Sequence, residues 1–212
     1  MLRTITESDS YLVRRMREGD PEAFRTLYRR CQGPVYRFVL HMSGSPTAAE
    51  DVTQDVFLTL IRDGERFDPS RGSLLAYLLG IGRNLLLRRI EKERVFVAFP
   101  RARDGDESEP AREIEHARLV VAAVDPVRNE TIGRVRQAVL TLPTNYREVV
   151  VLCDLQELSY EEAATVLRVA VGTVRSRLHR GRGLLVEKLR EYRKPGVRAA
   201  AASEAKPARS KS

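Results

Sequence analysis

Cysteine, histidine and long apolar runs are all scarce in this chain, and each scarcity closes off a class of function. There are only two cysteines in 212 residues, Cys31 and Cys153, and both fall inside apolar helical patterns. Neither has a Cys or His neighbour at metal-ligand spacing, so they read as small buried residues of a reducing compartment, and a disulfide framework is not expected. The three histidines, His41, His116 and His179, are scattered and lack ligand spacing. His41 lies on a core-side helix and reads as structural. No carboxylate–histidine cluster and no nucleophile with a base beside it can be assembled, so no enzyme such as a nuclease is indicated. A glycine-rich phosphate loop with its lysine is also missing, which excludes an ATPase of that type. No metal or cofactor is expected. The most apolar stretch, Leu74 to Ile81, meets Arg83 far too soon to span a bilayer. No secretory signal pattern is seen, and a cytoplasmic chain is expected.

What is abundant is arginine. The chain holds 37 Lys+Arg against 29 Asp+Glu, a formal net charge of +8, and nearly all of the basic residues are Arg. The planar guanidinium fork suits phosphates and base edges, although a basic balance only suggests a nucleic-acid partner. The charge is divided along the chain. Residues 1–95 carry 16 basic and 13 acidic residues (+3), 96–126 carry 4 and 7 (−3), 127–193 carry 12 and 8 (+4), and 194–212 carry 5 and 1 (+4). Two basic blocks are therefore joined by an acidic strip and followed by a basic tail.

Helical periodicity dominates both blocks, without convincing strand alternation, so the expected class is all-α with two small helical domains. Asp20-Pro21 starts a helix, with Asp as cap and Pro in the first turn. Phe24, Leu27, Tyr28 and Cys31 follow at helical spacing, and Val35, Phe38, Val39 and Met42 continue the stripe beyond Gly33-Pro34. Gly44-Ser45-Pro46 breaks the chain. The next helix runs to about Arg62, with Ala49, Val52, Val56 and Leu60 inward. A loop over 64–72 precedes a long helix that Ser73 can cap, ending near Arg94. Residues 96–126 have no apolar period and read as a flexible linker, with a transient helix possible over 113–124. The second domain, 127–193, is predicted as helices running to Leu142, from Tyr146 to Leu155, from Ser159 to about Leu167, and from Val171 to about Arg193. The 194–212 tail is expected to be disordered.

The strongest local signal lies at 159–180. Ser159 with Glu162 is a capping box. The short helix behind it, a tight break and a longer Arg-rich helix make a helix-turn-helix. On the second helix Val171, Val174, Leu178 and Leu185 share an inward face. Arg175, Ser176, His179 and Arg180 then point outward together, offering forked donors to guanine edges and phosphates. Arg177 and Arg182 lie to the sides, as phosphate contacts would.

The run LSYEEAA (158–164) followed by VGTVRSRLHRGR (171–182) resembles region 4 of the extracytoplasmic-function sigma factors of the sigma-70 family. In the first half AEDVTQDVFLTL (49–60) and RFDPSRGSLLAYLLGIGRNLLLRR (66–89) resemble their region 2. The resemblance covers about 20–94 and 127–190, in the family's order. It implies a promoter-specific initiation factor, with core RNA polymerase and promoter DNA as partners, an anti-sigma factor as a further possible one, and no enzymatic activity of its own.

It also implies roles for particular residues. Asp51, Gln54, Asp55 and Leu58 form an acidic face with one exposed leucine, opposite the core stripe; the family grips the polymerase's clamp helices there. Arg66, Phe67, Arg71, Tyr77, Arg83, Asn84 and Arg88 combine aromatics, an amide and cations, the mixture a splayed single strand needs. The resemblance assigns them to the −10 element. Thr173, Arg175, Ser176, Arg177, His179 and Arg180 fall to the −35 element. The family usually has Trp where Tyr77 stands, and often has Gly where Arg168 stands and Pro or Ser where Ala170 stands. A stand-alone helix-turn-helix regulator is the competing reading; it has no use for the acidic face.

Overall fold

The computed structural model describes residues 8–98 and 126–193, all of them in helices or short connections. The acidic linker, the transient helix expected within it and the basic tail lie outside the described residues.

In the first unit each helix begins on a side-chain cap. Helix α1, Asp9–Arg17, starts where Ser8 Oγ accepts the Tyr11 N–H. It was not foreseen from the sequence, yet it buries Leu12, Val13 and Met16. Helix α2, Pro21–Ser43, starts on Asp20, which accepts the Glu22 N–H at 2.9 Å. It continues through Pro34, whose neighbours Val35, Phe38 and Val39 are fully buried, so packing carries the helix past the hydrogen bond that proline removes. Gly44 ends α2 at φ 78, a left-handed conformation that glycine adopts without strain. Helix α3, Pro46–Asp63, follows from Ser45, with Ala49, Val52, Val56 and Leu60 buried as expected. Two short 3-10 turns, Gly64–Arg66 and Pro69–Arg71, lead to helix α4, Leu74–Ala98. Ser73 Oγ accepts the Ala76 N–H at 3.2 Å, the cap predicted for it. Tyr28 departs from the inward stripe expected of it: it lies on the rim of α2, 37% exposed, while Leu27 beside it is fully buried.

The second unit holds α5, Pro126–Leu140, α6, Thr144–Val150, α7, Tyr160–Leu167, and α8, Val171–Arg193. Helix α5 ends two residues short of the predicted Leu142, and α6 runs into a π-helical turn, Val151–Leu155, where one continuous helix was expected. Gly181 allows the closest approach between α8 and α6, since a Cβ there would meet Val150 Cγ2 at 2.9 Å and the Tyr146 carbonyl at 3.3 Å.

The two units pack against each other. Leucines and valines of both fall into one continuous cluster of buried side chains. Polar contacts across the junction are specific: Arg83 pairs with Glu148, the Arg147 guanidinium donates to the Met42 carbonyl at 2.8 Å, and Ser73 donates to Glu162. Arg147 also donates to the carbonyls of Leu140 and Leu142, so one side chain closes the end of α5 and ties it to the end of α2.

Candidate nucleic-acid and polymerase interfaces

Three surfaces collect the residues singled out by sequence. The first is the loop 64–73 with the start of α4. Asp68 accepts the Ser70 N–H and Oγ–H at 2.9 and 2.7 Å, which pins the loop as a compact turn. These bonds hold the Asp68 carboxyl below its ordinary value. Phe67 and Tyr77 stand against each other, ring centroids 5.6 Å apart and tilted by 49°. Both are half-buried, and the Tyr77 hydroxyl donates to the Asp63 carbonyl at 3.5 Å. They are at once edge-of-core residues and the apolar wall of a cavity of about 240 Å³. Arg66, Arg71 and Asn84 line the same cavity. Arg88 is exposed farther along α4 and is outside it. Arg83 points elsewhere, with its guanidinium on Glu148 of the second unit. The cavity's far wall is Thr165, Val166 and Arg168 of the helix-turn-helix, which sequence reasoning placed in a separate domain.

The second surface is the outer face of α3. Asp51, Gln54, Asp55 and Leu58 are all exposed, Leu58 by 54%. Arg89 of α4 reaches across to Asp51 at 2.8 Å, which anchors the upper end of the face. Sequence reasoning missed the groove alongside. Phe24, Tyr28, Tyr36 and Phe57 line it, with Leu58 and Ile61 on its lip. Tyr28 and Phe57 are 4.7 Å apart. The signal was present in the aromatic positions of α2, but helical spacing alone does not separate a core stripe from the rim beside it.

The third surface is α8. Val174 and Leu178 are buried, and Val171 and Leu185 are half-buried against the core. Arg175, Ser176, His179 and Arg180 are exposed together, and Thr173 and Arg177 are half-buried at the flanks. The Arg175 guanidinium stands 5.8 Å from the Tyr160 ring, which steadies it without consuming its donors. Ser176 Oγ donates to the Thr173 carbonyl. Arg182 is held in a two-pronged pair by Asp154, so it is less free for a phosphate than its position suggested. The predicted capping box is present, with Ser159 and Glu162 exchanging bonds at 3.1 Å each. Arg168 takes the left-handed conformation, φ 56 and ψ 46, one that glycine adopts without strain. Among the described residues no group of His, Cys, Asp and Glu is placed to hold a metal ion, and no helix is long and apolar enough to cross a membrane.

The architecture is thus a helical bundle carrying an aromatic, arginine-lined loop, followed by a helix-turn-helix. Residues 27–95 match the family model Sigma-70 region 2, and residues 132–185 match Sigma-70, region 4. The chain is 30% identical over 183 residues to the ECF RNA polymerase sigma factor SigW of Bacillus subtilis, covering 84% of this chain and 95% of that protein. It is 36% identical over 170 residues to the ECF RNA polymerase sigma factor SigE of Mycolicibacterium smegmatis, covering 78% of this chain and 60% of the relative. Among solved structures, CnrH in complex with the cytosolic domain of CnrY aligns with a TM-score of 0.61 at 28% identity, over 87% of this chain and 99% of that one. The sigma factor RpoE of Bartonella quintana, in complex with the anti-sigma factor NepR, shares the fold with a TM-score of 0.60 at 23% identity, over 79% of this chain and 96% of that one. The chain belongs to the extracytoplasmic-function sigma factors of the sigma-70 family.

Proposed function

We propose that the three surfaces divide the work of a sigma factor among them. The outer face of α3, with Asp51, Gln54, Asp55 and Leu58 and the neighbouring groove, docks on core polymerase. An acidic face repels phosphate and suits a basic protein partner, and an exposed leucine supplies the apolar anchor. The loop 64–73 and α4 take the melted −10 strand: Phe67 and Tyr77 receive a base, Asn84 reads its edge, and Arg66, Arg71 and Arg88 follow the backbone. Arg83 joins them once its pair with Glu148 opens. Helix α8 enters the major groove of the −35 element, with Thr173, Arg175, Ser176, Arg177, His179 and Arg180 at the DNA. On this reading residues 1–95 and 127–193 are the two working domains, 96–126 is the linker and 194–212 a basic tail.

The reading assigns no catalytic step. Strand opening then draws on binding energy for exposed single strand and on contacts made by the polymerase. The work is placed in the cytoplasm, beside core polymerase. An anti-sigma factor is a further partner, as NepR is for RpoE of Bartonella quintana.

The observation that carries this reading is the segregation of chemistry within one helical unit: acid and leucine on α3, aromatics and arginine on the loop. A stand-alone regulator needs only the second unit. The test is reconstitution with core polymerase and transcription from a promoter library. A selected motif with two spaced elements, dependent on core, is expected. Tight duplex binding by the chain alone, with no transcription on adding core, would return it to the regulators.

A further inference from the structure

The beginning of α4 aims two donors at one oxygen. The Ser73 N–H lies 3.2 Å from Glu162 Oε1, and Ser73 Oγ–H donates to the same oxygen. Glu162 belongs to α7, the first helix of the helix-turn-helix, so this carboxylate comes from the other unit. Its second oxygen, Oε2, accepts the Ser159 N–H at 3.1 Å and completes the capping box. Burial alone would raise the Glu162 carboxyl, but the hydrogen bonds from Ser73 and Ser159 outweigh it and hold the group below its ordinary value. An anion is thus bound at the positive end of a 25-residue helix. The cap of α7 needs only Ser159 and does not need Ser73.

The surroundings are those of a larger anion. The cavity beside Ser73 is lined by Arg66, Arg71 and Arg168, with Asp68 as its single carboxylate, and Asp68 is already occupied by Ser70. Phe67 and Tyr77 form its apolar wall. A base seat next to a cationic seat fits one nucleotide of a strand, base and phosphate together.

We propose that Glu162 occupies the seat of a promoter-strand phosphate. In the working state the Ser73 N–H and hydroxyl bind that phosphate. In the closed form the carboxylate of the second unit takes its place, and Thr165, Val166 and Arg168 roof the base seat. Strand binding and packing of the two units therefore exclude one another through a shared pair of donors. This rests on the reading of 66–88 as the strand-binding surface, and it adds Ser73 to that surface and a competitor to its regulation.

The test uses a fluorescent single strand carrying the non-template −10 segment of a promoter that the holoenzyme transcribes. Glu162→Gln preserves the capping box, since Gln serves that position, but it removes the charge. The free full-length E162Q chain should bind the strand about tenfold more tightly than the free wild type, because the closed form reduces apparent affinity by the fraction that is open. The proposal requires the units to be apart in holoenzyme, so there E162Q should equal wild type. Ser73→Asp keeps a good helix cap but fills the seat with a negative charge, and should weaken strand binding by holoenzyme about tenfold. Ser73→Thr should retain it. Equal free-chain affinity for E162Q and wild type, with holoenzyme binding normally, overturns the competition and leaves the strand-binding reading standing. Wild-type binding by S73D holoenzyme overturns the seat. Failure of wild-type holoenzyme to bind the strand at all overturns the reading and the proposal with it.

Discussion

Arg83 and Glu148 join the two helical units through a nearly dry ion pair: Nε to Oε1 is 2.7 Å, and the two side chains are 20% and 6% exposed. Glu148 has been drawn into the core of the second unit and depends on this partner. Removing one member of a buried pair costs about 3–5 kcal/mol, because the remaining charge is left without compensation. The low end applies here, since Arg83 keeps some water. Arg83→Met should therefore loosen the packing of the units, because separating them rehydrates Glu148. Small-angle scattering should show a larger radius of gyration. Arg83→Met combined with Glu148→Leu should recover the compact form, as apolar replacement of a buried pair is often neutral. An unchanged radius in the single variant would show that the pair does not hold the units together.

Arg168 carries a local strain that its neighbours tolerate. Its φ of 56 is left-handed, and its N–H and that of Val169 still close the end of α7 on Thr165 and Ala164. A residue with a Cβ is less favourable there than glycine by about 1 kcal/mol. Arg168→Gly should raise the unfolding free energy by up to that amount, read as a shift of the urea midpoint at constant slope. A destabilised variant would mean that the guanidinium contributes more at the junction than the backbone loses.

The helices that were legible in the sequence are those with a cap and a stripe. Asp20-Pro21, Ser45-Pro46, Ser73 and Ser159 each begin the helix they announced. The recognition face of α8 was legible because Val174 and Leu178 orient the whole helix and so aim Arg175 and Arg180 outward. Helix α1 was missed because its buried face is only Leu12, Val13 and Met16, too short a stripe to establish a helical period on its own. The junction between the units was not legible at all. Arg83 and Glu148 are 65 positions apart, and Ser73 and Glu162 are 89 apart. Each looks, in sequence, like an ordinary surface charge or cap. Pairings of that kind depend on how two finished surfaces meet, which no local period encodes.

His41 gives the fold a predicted pH dependence. Burial, with Arg136 and Arg37 facing it, pushes its pKa down from 6.5 to about 4, and its Nδ1 finds no partner among the described residues. The native state keeps the ring neutral while the unfolded chain takes up a proton, so stability falls as pH drops through the window between these values and is fully present above it. The whole window is worth about 3 kcal/mol at most. Urea midpoints measured at about pH 7.5 and about pH 5 should fall for the wild type and fall much less for His41→Leu. The same fall in both proteins would assign the dependence to other groups.

Asp51 and Asp55 test the polymerase surface. Both are exposed on α3, and Asp51 pairs with Arg89 at its edge. Reversing both charges should leave the fold intact, since surface substitutions move stability by about 0.5 kcal/mol or less. Affinity for core should nevertheless fall at least tenfold, through lost complementarity and new like-charge contacts. A titration of labelled Asp51→Arg/Asp55→Arg protein with core reads this directly. Unchanged affinity would remove the face from the interface.

The recognition helix offers the sharpest division of roles. Arg175 and Arg180 are exposed with Ser176 and His179, on the side opposite buried Val174 and Leu178. A forked contact to guanine is worth about 1–3 kcal/mol of discrimination against other bases. A phosphate contact weakens every sequence alike and lowers the salt slope by about one unit when it is removed. We expect at least one of Arg175→Ala and Arg180→Ala to change the preferred upstream element. Arg177→Ala, at the half-buried flank, should only weaken binding. Arg182→Ala should act partly through stability, because it frees Asp154 from its two-pronged pair. Promoters selected by each holoenzyme from a randomised upstream element separate these outcomes. If all four variants return the wild-type motif at uniformly lower strength, these arginines position the helix without reading bases. Specificity then passes to Ser176, His179 or the deformability of the DNA.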